Sequence, residues 1–348
     1  MRDLAVALKE RGEAVTVLAG GGGVLFDAIE EKGVDCHKLE NLVHPIHPVR
    51  DLAAYREIGA VLRDLTPDLV TTHSNKAGLL GRLAARSLRI PVIHTSHGFL
   101  FSGRESSAAG LFYRFMEKFA AGAADKVIVV AESEYSLAER LGVIAVSKMA
   151  VVQNGLPDCS PPVLADPGID PPQLIMVARF ADPKDQQTLL QALGMLKKLK
   201  WALTLVGDGA GRRDAEELSA ELGIKDRVNF TGVCEDVLGL LADSQVFILS
   251  SKREGFPLSI LEAMRVGLPV VAADVGGVRE AVEEGQSGFL FPPGDADRLE
   301  EQLRRLLEDP LLRKRMGQAG RERFLKNFTL DQMFEKTLSV YKSVVNPK

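Results

Sequence analysis

The sequence predicts an α/β protein with two parallel, doubly wound sheets, and three observations support this fold class. Short β-branched apolar segments alternate with helical segments along the chain, which is typical of parallel strands joined by crossover helices. The alternation is interrupted once, by a stretch from Leu156 to Pro172 that is rich in Pro and Asp. A chain of 348 residues is also long enough for two domains of ordinary size.

The predicted elements form two groups, one on each side of residues 156–172. In the first group we expect strands at Ala14–Ala19, Val34–His37, Leu69–Thr72, Pro91–Ser96, Lys126–Val130 and Lys148–Gln153, with helices such as Leu52–Leu65, Leu79–Leu88, Leu111–Ala120 and Ser133–Leu141 between them. In the second group we expect strands at Leu174–Val177, Ala202–Val206, Val228–Phe230, Val246–Leu249, Pro269–Ala272 and Gly288–Phe291, and then the helices Arg298–Leu307, Leu311–Phe324 and Thr329–Val345. This pattern predicts two Rossmann-like domains, at 1–155 and 173–328, with a linker at 156–172 and a ligand cleft between the domains.

The composition excludes several classes of protein. With 46% hydrophobic and 26% charged residues, the chain is typical of a globular protein. A net charge of -4 gives no general attraction to nucleic acid. The start, MRDLAVALKERGE, is charged and amphipathic, without the apolar core of a signal peptide. Three cysteines at unrelated spacings favour free thiols in a reducing cytoplasm.

One stretch of the second half combines a helix start with two carboxylates. It reads EGFPLSILEAM and runs from Glu254 to Met264. Pro257 suits the first helical position because its missing N–H would be unpaired there in any case. The free amides of that helix start can hold a phosphate, and Gly255 allows close approach of the ligand to the backbone. With Glu262 about a turn and a half further on, the layout fits a diphosphate with a sugar on each side.

This stretch and the following GLPVVAADVGGVREAV resemble the Glu-x7-Glu signature of retaining glycosyltransferases of the GT-B fold (family 4, group 1). The resemblance implies two Rossmann-like domains facing each other across a cleft, and a last helix, 329–348, that crosses back to the first domain. It implies transfer of a sugar from a nucleotide-diphosphate donor, with UDP-sugars favoured, and retention at the anomeric carbon. It also implies no cofactor and no essential metal.

The same resemblance assigns roles to residues of the second domain. It makes Glu254 a catalytic residue that orients the transferred sugar. It makes Arg179 and Lys184 catalytic as ligands of the leaving diphosphate, a task that suits their charges. Donor binding is assigned to Glu262 on the ribose, and the other donor-binding candidates are Gly255, Phe256, Pro257, Leu258, Val233 and Gly207. Lys184 departs from the family pattern because Asp185 follows it where members usually have Gly, and an ordinary surface location is the alternative for the basic pair.

In the first domain, the sequence TSHGF follows a predicted strand, and the resemblance makes His97 a catalytic candidate near the transferred sugar. The phrase HSNKAGLLGRLAARS, which starts at His73, is similar to that of members that build capsule or exopolysaccharide. Its first residues either contact substrate or cap a helix through Ser74 or Asn75. Such members imply a glycan or polyprenyl-linked acceptor and a place at the cytoplasmic face of the inner membrane.

Part of the first domain is both basic and apolar, and it could contact anionic lipid. Its basic residues are Arg82, Arg86, Arg89, Arg104 and Arg114, and its apolar residues are Leu111, Phe112, Phe115 and Phe119. The alternative is that the aromatic side chains belong to the core and the arginines are simply solvated.

The start of the chain departs from the family pattern. Members open with a hydrophobic strand and a Gly-rich loop, whereas here the phrase LAVALKERGEAVTVLAG comes at once. We therefore expect the first domain to lack its first strand, which is usually central in such a sheet. A divergent but complete start is the alternative.

Other functions also stay open. A non-catalytic nucleotide-sugar-binding remnant would follow from a missing strand. An epimerase or a phosphorylase could use the same fold, although no pyridoxal lysine site is evident. A nicotinamide-dependent oxidoreductase is disfavoured because Gly20–Gly23 lack the Gly-x-Gly-x-x-Gly order. The pair Asp295 and Asp297 mimics a metal motif, but its place before a helix favours an N-cap.

Overall fold

The computed structural model describes residues 1–21, 23–43 and 46–345, without the side chains of residues 24 and 25. Gly22 of the glycine-rich stretch therefore lies outside the described residues. Contacts divide the chain into two compact units, Met1–Gln153 with Leu330–Lys348 and Asn154–Thr329. Within the described residues, no helix combines the length and the apolar character that crossing a membrane requires. The three cysteines are not in disulfides.

The elements of the first unit alternate as the sequence predicts. They are α1 Arg2–Glu10, β1 Thr16–Ala19, α2 Val24–Glu30, β2 Asp35–Lys38, α3 Pro48–Leu65, β3 Val70–His73, α4 Asn75–Ser87, β4 Val92–Ser96, α5 Ala108–Gly122, β5 Lys126–Val129, α6 Glu132–Arg140 and β6 Met149–Val151.

The second unit continues the alternation, and the last helix of the chain returns to the first unit. The elements are β7 Gln173–Val177, α7 Gln186–Met195, β8 Ala202–Val206, α8 Arg212–Glu221, β9 Val228–Gly232, α9 Val237–Ala242, β10 Val246–Leu249, α10 Leu258–Arg265, β11 Val270–Ala273, α11 Val278–Ala281, β12 Gly288–Phe291, α12 Ala296–Glu308, α13 Pro310–Asn327 and α14 Leu330–Val345.

All pairings in the first unit are parallel. The described strands form a two-stranded sheet, β1-β2, and a four-stranded sheet, β3-β4-β5-β6. Helix α14 packs on the larger sheet, where Tyr341 and Val340 contact a cluster that contains Ile93 and Ile128. The apolar face of α14 is thereby removed from water, which accounts for its place in this unit.

The second unit holds one six-stranded parallel sheet in the order β12-β11-β10-β7-β8-β9. Every residue of β10 and β11 is buried, as expected for strands covered by helices on both faces. The predicted parallel α/β class is therefore confirmed, and the predicted strand ends lie within two residues of the observed ones.

The segment 156–172, predicted as a linker, lies against the second unit. Asp158 forms a bidentate ion pair with Arg321 at 2.6 Å. The Ala165 amide donates to the carbonyl of Val266 at 2.9 Å. The Gln245 side chain donates to the carbonyl of Asp166 at 3.0 Å. This segment is therefore fixed to the unit that begins at Asn154.

Candidate active site

The candidate residues of the second unit lie at one edge of its sheet. All six strands are parallel, so their carboxyl ends share that edge. From β7 the chain adds β8 and β9 on one side and then returns to place β10 on the other. The boundary between β7 and β10 is therefore a topological switch point, where open α/β sheets bind their ligands.

The structure brings Lys184 and Glu254 together at this switch point. Lys184 follows β7 and Glu254 follows β10, and the Lys184 ammonium forms an ion pair with the Glu254 carboxylate. Their side chains are only 21% and 10% exposed. The two loops are also joined by the amide of Lys252, which donates to the carbonyl of Pro183 at 2.8 Å. The candidate catalytic carboxylate, Glu254, and the candidate phosphate ligand, Lys184, thus lie side by side and pair with each other.

Helix α10 begins one residue later than the sequence suggested. Pro257 is its N-cap, with φ -73° and ψ 122°, and Leu258 is its first residue. The predicted first helical position for Pro257 was therefore wrong by one residue, because proline's fixed φ suits both places. The carbonyl of the buried Phe256 accepts a hydrogen bond from the Asn154 side chain at 2.8 Å. The amides of the first turn of α10 remain available to an anion.

Two glycines after β11 fix the loop that carries Glu254. The Gly277 amide donates to the carbonyl of Gly255 at 2.7 Å. Gly276 has a φ of +50°, and a Cβ there would lie 2.9 Å from the carbonyl carbon of Glu254 and closer still to its oxygen. Only glycine meets both conditions, so the sequence VGG after β11 is part of the scaffold of the site.

Glu262 lies on α10, eight positions after Glu254. The side chain is partly exposed, and burial raises the pKa of its carboxyl while Arg265 opposes the shift. A carboxylate in this position has free acceptor capacity for hydroxyl donors.

The remaining donor-site candidates occupy the same edge. Arg179 is exposed, and its carbonyl accepts a hydrogen bond from Gln186 at 3.0 Å. Gly207 has a φ of +131°, and a Cβ there would lie 2.9 Å from the carbonyl carbon of Ala178. Val233, after β9, is 83% exposed. The loops after β7, β8 and β9 are therefore open to a ligand at the carboxyl edge.

In the first unit, His97 lies beside His73. Nδ1 of His73 and Nε2 of His97 are 3.1 Å apart, and the rings are stacked with centroids 5.3 Å apart. Desolvation, followed by the nearby His97, lowers the pKa of His73 to about 3. Desolvation also lowers the pKa of His97. Two neutral imidazoles at the carboxyl ends of β3 and β4 can share one hydrogen bond and leave the other ring nitrogens for substrate.

The loop that carries His97 is held by Glu134, which sequence reasoning missed. Glu134 is buried, and its carboxylate accepts hydrogen bonds from the Phe99 amide at 2.9 Å and from the Ser102 hydroxyl at 2.8 Å. Phe99 and Phe101 stack with ring centroids 4.8 Å apart. No local motif marks Glu134, because its partners lie more than thirty positions earlier in the chain.

Much of the phrase KAGLLGR has a structural role. Lys76 forms an ion pair with Asp51, and the buried Arg82 forms one with Glu117 at 3.0 Å. At Gly78 a Cβ would lie 2.6 Å from Cε1 of His94. Ser74 is the N-cap of α4, but its side chain makes no capping hydrogen bond. The two ion pairs join α4 to α3 and α5, and Gly78 lets α4 approach strand β4 closely.

The described residues hold no group of three or more His, Cys, Asp or Glu side chains placed to bind a metal ion. Of the acidic pair at the start of α12, Asp295 has the capping role that the sequence suggested, whereas Asp297 lies in the first turn of the helix. Asp295 caps that helix by accepting a hydrogen bond from the Arg298 amide at 2.9 Å.

Comparison with known proteins relates the whole chain to one group of enzymes. Residues 1–155 match the family model of the glycosyl transferase 4-like domain, and residues 165–323 match that of glycosyl transferases group 1. The glycosyltransferase EpsD of Bacillus subtilis is 30% identical over 97% of this chain and 91% of its own length. A UDP-Gal:α-D-GlcNAc-diphosphoundecaprenol α-1,3-galactosyltransferase of Escherichia coli is 26% identical over 95% and 89%.

Alignment of this chain with solved structures identifies the fold. HepE of Anabaena, in complex with UDP and glucose, aligns with a TM-score of 0.84 and 23% identity over 98% of this chain and 94% of its own. Sucrose-phosphate synthase of Thermosynechococcus elongatus aligns with a TM-score of 0.81 and 23% identity over 100% and 93%. The fold is therefore the predicted GT-B type.

Proposed function

The chain belongs to the group 1 glycosyltransferases, and from this premise we propose that it transfers a sugar from a UDP-sugar to a glycan or lipid-linked glycan, with retention of anomeric configuration. The observation that carries the proposal is the Lys184–Glu254 ion pair beside the start of α10, at the switch point of the sheet. The supporting relatives are a galactosyltransferase named for a UDP-Gal donor and HepE, solved with UDP.

The donor is held by charge and by backbone amides. Arg179, the Lys184 ammonium and the first amides of α10 all lie at the carboxyl edge, where they can bind the diphosphate. Glu262 accepts hydrogen bonds from the ribose hydroxyls, Val233 lies beside the base, and the turn at Gly207 passes close to the nucleotide. No metal or cofactor is required in this proposal, because these groups supply the positive potential.

In the transfer step, one bond to the anomeric carbon breaks and another forms on the same face of the sugar. The bond between the anomeric carbon and the diphosphate oxygen breaks, and an oxocarbenium-like centre develops. The positive groups stabilise the leaving diphosphate. The acceptor oxygen forms the new bond on the same face, and its proton passes to an oxygen of the departing phosphate. Glu254 and His97 hold the hydroxyls of the transferred sugar during this step.

The acceptor and the location belong to the same proposal. A polyprenyl-linked acceptor is supported by the diphosphoundecaprenol named for the Escherichia coli relative. Such an acceptor would bring a cytoplasmic enzyme to the inner face of the cytoplasmic membrane, where cell-surface polysaccharide is assembled.

The test is transfer from UDP-glucose, UDP-galactose and UDP-N-acetylglucosamine to GlcNAc-diphosphoundecaprenol, with the product linkage assigned by NMR. We expect a product with the donor's anomeric configuration, unchanged by EDTA. Glu254→Ala should abolish transfer, whereas Lys200→Ala, a lysine 80% exposed before β8, should leave it intact. An inverted product would contradict retention. UDP binding without transfer to any acceptor would instead favour the non-catalytic remnant, which the comparisons do not favour.

A further inference from the structure

Helix α5 exposes an apolar face. The exposed positions of Ala108–Gly122 contain no acidic residue and a single basic one, and they are Ala108, Ala109, Leu111, Phe112, Phe115, Lys118, Phe119 and Gly122. The side chain of Phe115 is 68% exposed, and those of Leu111, Phe112 and Phe119 are each more than half exposed. The interpretation of these aromatic residues as core was therefore wrong. Large apolar residues clustered on one helix face mark an interaction site.

Two cations border this face. Arg114 and Lys118 line a cavity of about 200 Å³ together with Leu111, Phe115, Leu141 and Val143. Nε of Arg114 is buried and finds no hydrogen-bond partner among the described residues. One Nη of Arg114 donates a long hydrogen bond to the carbonyl of Leu141, at 3.5 Å. Because the lining contains no acidic side chain, this cavity is suited to an anionic group attached to an apolar body.

Glu117, the acidic residue of α5, does not neutralise the positive charge of Arg114 and Lys118. Glu117 is half-buried and faces Arg82, with which it forms an ion pair at 3.0 Å. Arg82 is itself buried, so the expectation that Arg82 contacts lipid was wrong. The apolar face of α5 thus carries a net positive border.

We propose that the exposed face of α5 docks on an anionic phospholipid bilayer, with Leu111, Phe112, Phe115 and Phe119 entering the interface and Arg114 and Lys118 contacting lipid phosphates. An apolar helix face bordered by cations is the arrangement of helices that lie in the plane of a membrane interface. A second copy of this chain fits less well, because α5 against α5 would bring the cations of two protomers together. The proposal deepens the membrane location proposed above and rests on it.

The experiment is co-sedimentation of the full chain, without substrates, with vesicles of phosphatidylcholine alone or with phosphatidylglycerol. We expect binding to the anionic vesicles that weakens, without disappearing, at high salt. The double substitution Phe115→Asp with Phe119→Asp should lower the partition coefficient by at least about tenfold. The matched control is Leu311→Asp, an apolar residue of α13 that is 76% exposed, and it should leave binding unchanged.

Two results would overturn the proposal. Equal loss of binding in the α5 and Leu311 variants would make the effect non-specific. Loss of a dimer in the α5 variant, measured by analytical ultracentrifugation, without vesicle binding by the unmodified chain, would make this face a protein interface. UDP binding by the α5 variant, measured in parallel, separates failure at this surface from failure of the proposed donor site.

Discussion

Substitution of Gly276 by alanine should disable the site without contacting any substrate. The new Cβ would lie 2.9 Å from the carbonyl carbon of Glu254, whereas non-bonded carbons prefer about 3.5–4.0 Å. The Glu254 loop would therefore have to move by more than about half an ångström. Misplacement of a catalytic group by about 1 Å can cost about a hundredfold in rate, so we expect kcat/KM to fall by one to two orders of magnitude.

The substitution also carries a stability cost. At a φ of +50°, alanine loses about 1–2 kcal/mol relative to its preferred backbone, and overpacking adds about 1–3 kcal/mol. Gly285→Ala is the matched control, because Gly285 has a φ of +74° and a Cβ added there would meet no atom within 4 Å. It should show the backbone cost alone and retain activity.

The assays are initial rates of sugar transfer and thermal unfolding of both variants. Because the two glycines share a left-handed backbone, the difference between them isolates the contact with Glu254. Activity of Gly276→Ala within threefold of the unmodified enzyme would refute this reasoning.

Three further predictions concern other contacts. Because burial raises the pKa of Glu262, its charged form destabilises the folded state as the pH rises through that pKa. Glu262→Gln should therefore raise the melting temperature at pH 8 more than at pH 5, while UDP binding weakens; an equal shift at both pH values would contradict this. Gly78→Ala should lower the free energy of unfolding by about 1–3 kcal/mol through its clash with His94, as measured by chemical denaturation. The helical control Gly59→Ala, whose Cβ would meet nothing closer than 3.9 Å, should not lower it. Glu134→Ala should slow transfer by about tenfold by releasing the loop of His97, with UDP affinity in calorimetry unchanged; weakened UDP binding would place its effect elsewhere.

The strands were predictable because each one is marked by a short apolar run in the local sequence. Val246–Leu249 is apolar and bounded by polar residues, and Ala202–Val206 is mostly apolar and ends at a Gly-Asp-Gly turn. The observed strands have the same limits. The helix start at Pro257 was less certain, since proline fits both the cap and the first turn. The sequence therefore predicted the fold class well and the caps less well.

The contacts within the site depend on strand order, which no local pattern contains. Lys184 and Glu254 are 70 positions apart, and they meet because β10 pairs with β7. The same limit applies to Glu134, whose partners belong to the loop after β4. For α5, aromatic residues at helical spacing fit a core and a surface equally, so only the structure shows that Phe115 is exposed.

Calorimetric titration with UDP, GDP, ADP and NAD tests the central claim, that the carboxyl edge of the second unit is a nucleotide-diphosphate donor site. We expect one nucleotide, UDP, to bind at a single site, and Arg179→Ala and Glu262→Ala to weaken it. The control variant Arg304→Ala, on α12, should bind UDP with the same affinity as the unmodified chain. Absence of diphosphate binding by the folded protein, or equal affinity in Arg179→Ala, would contradict the account.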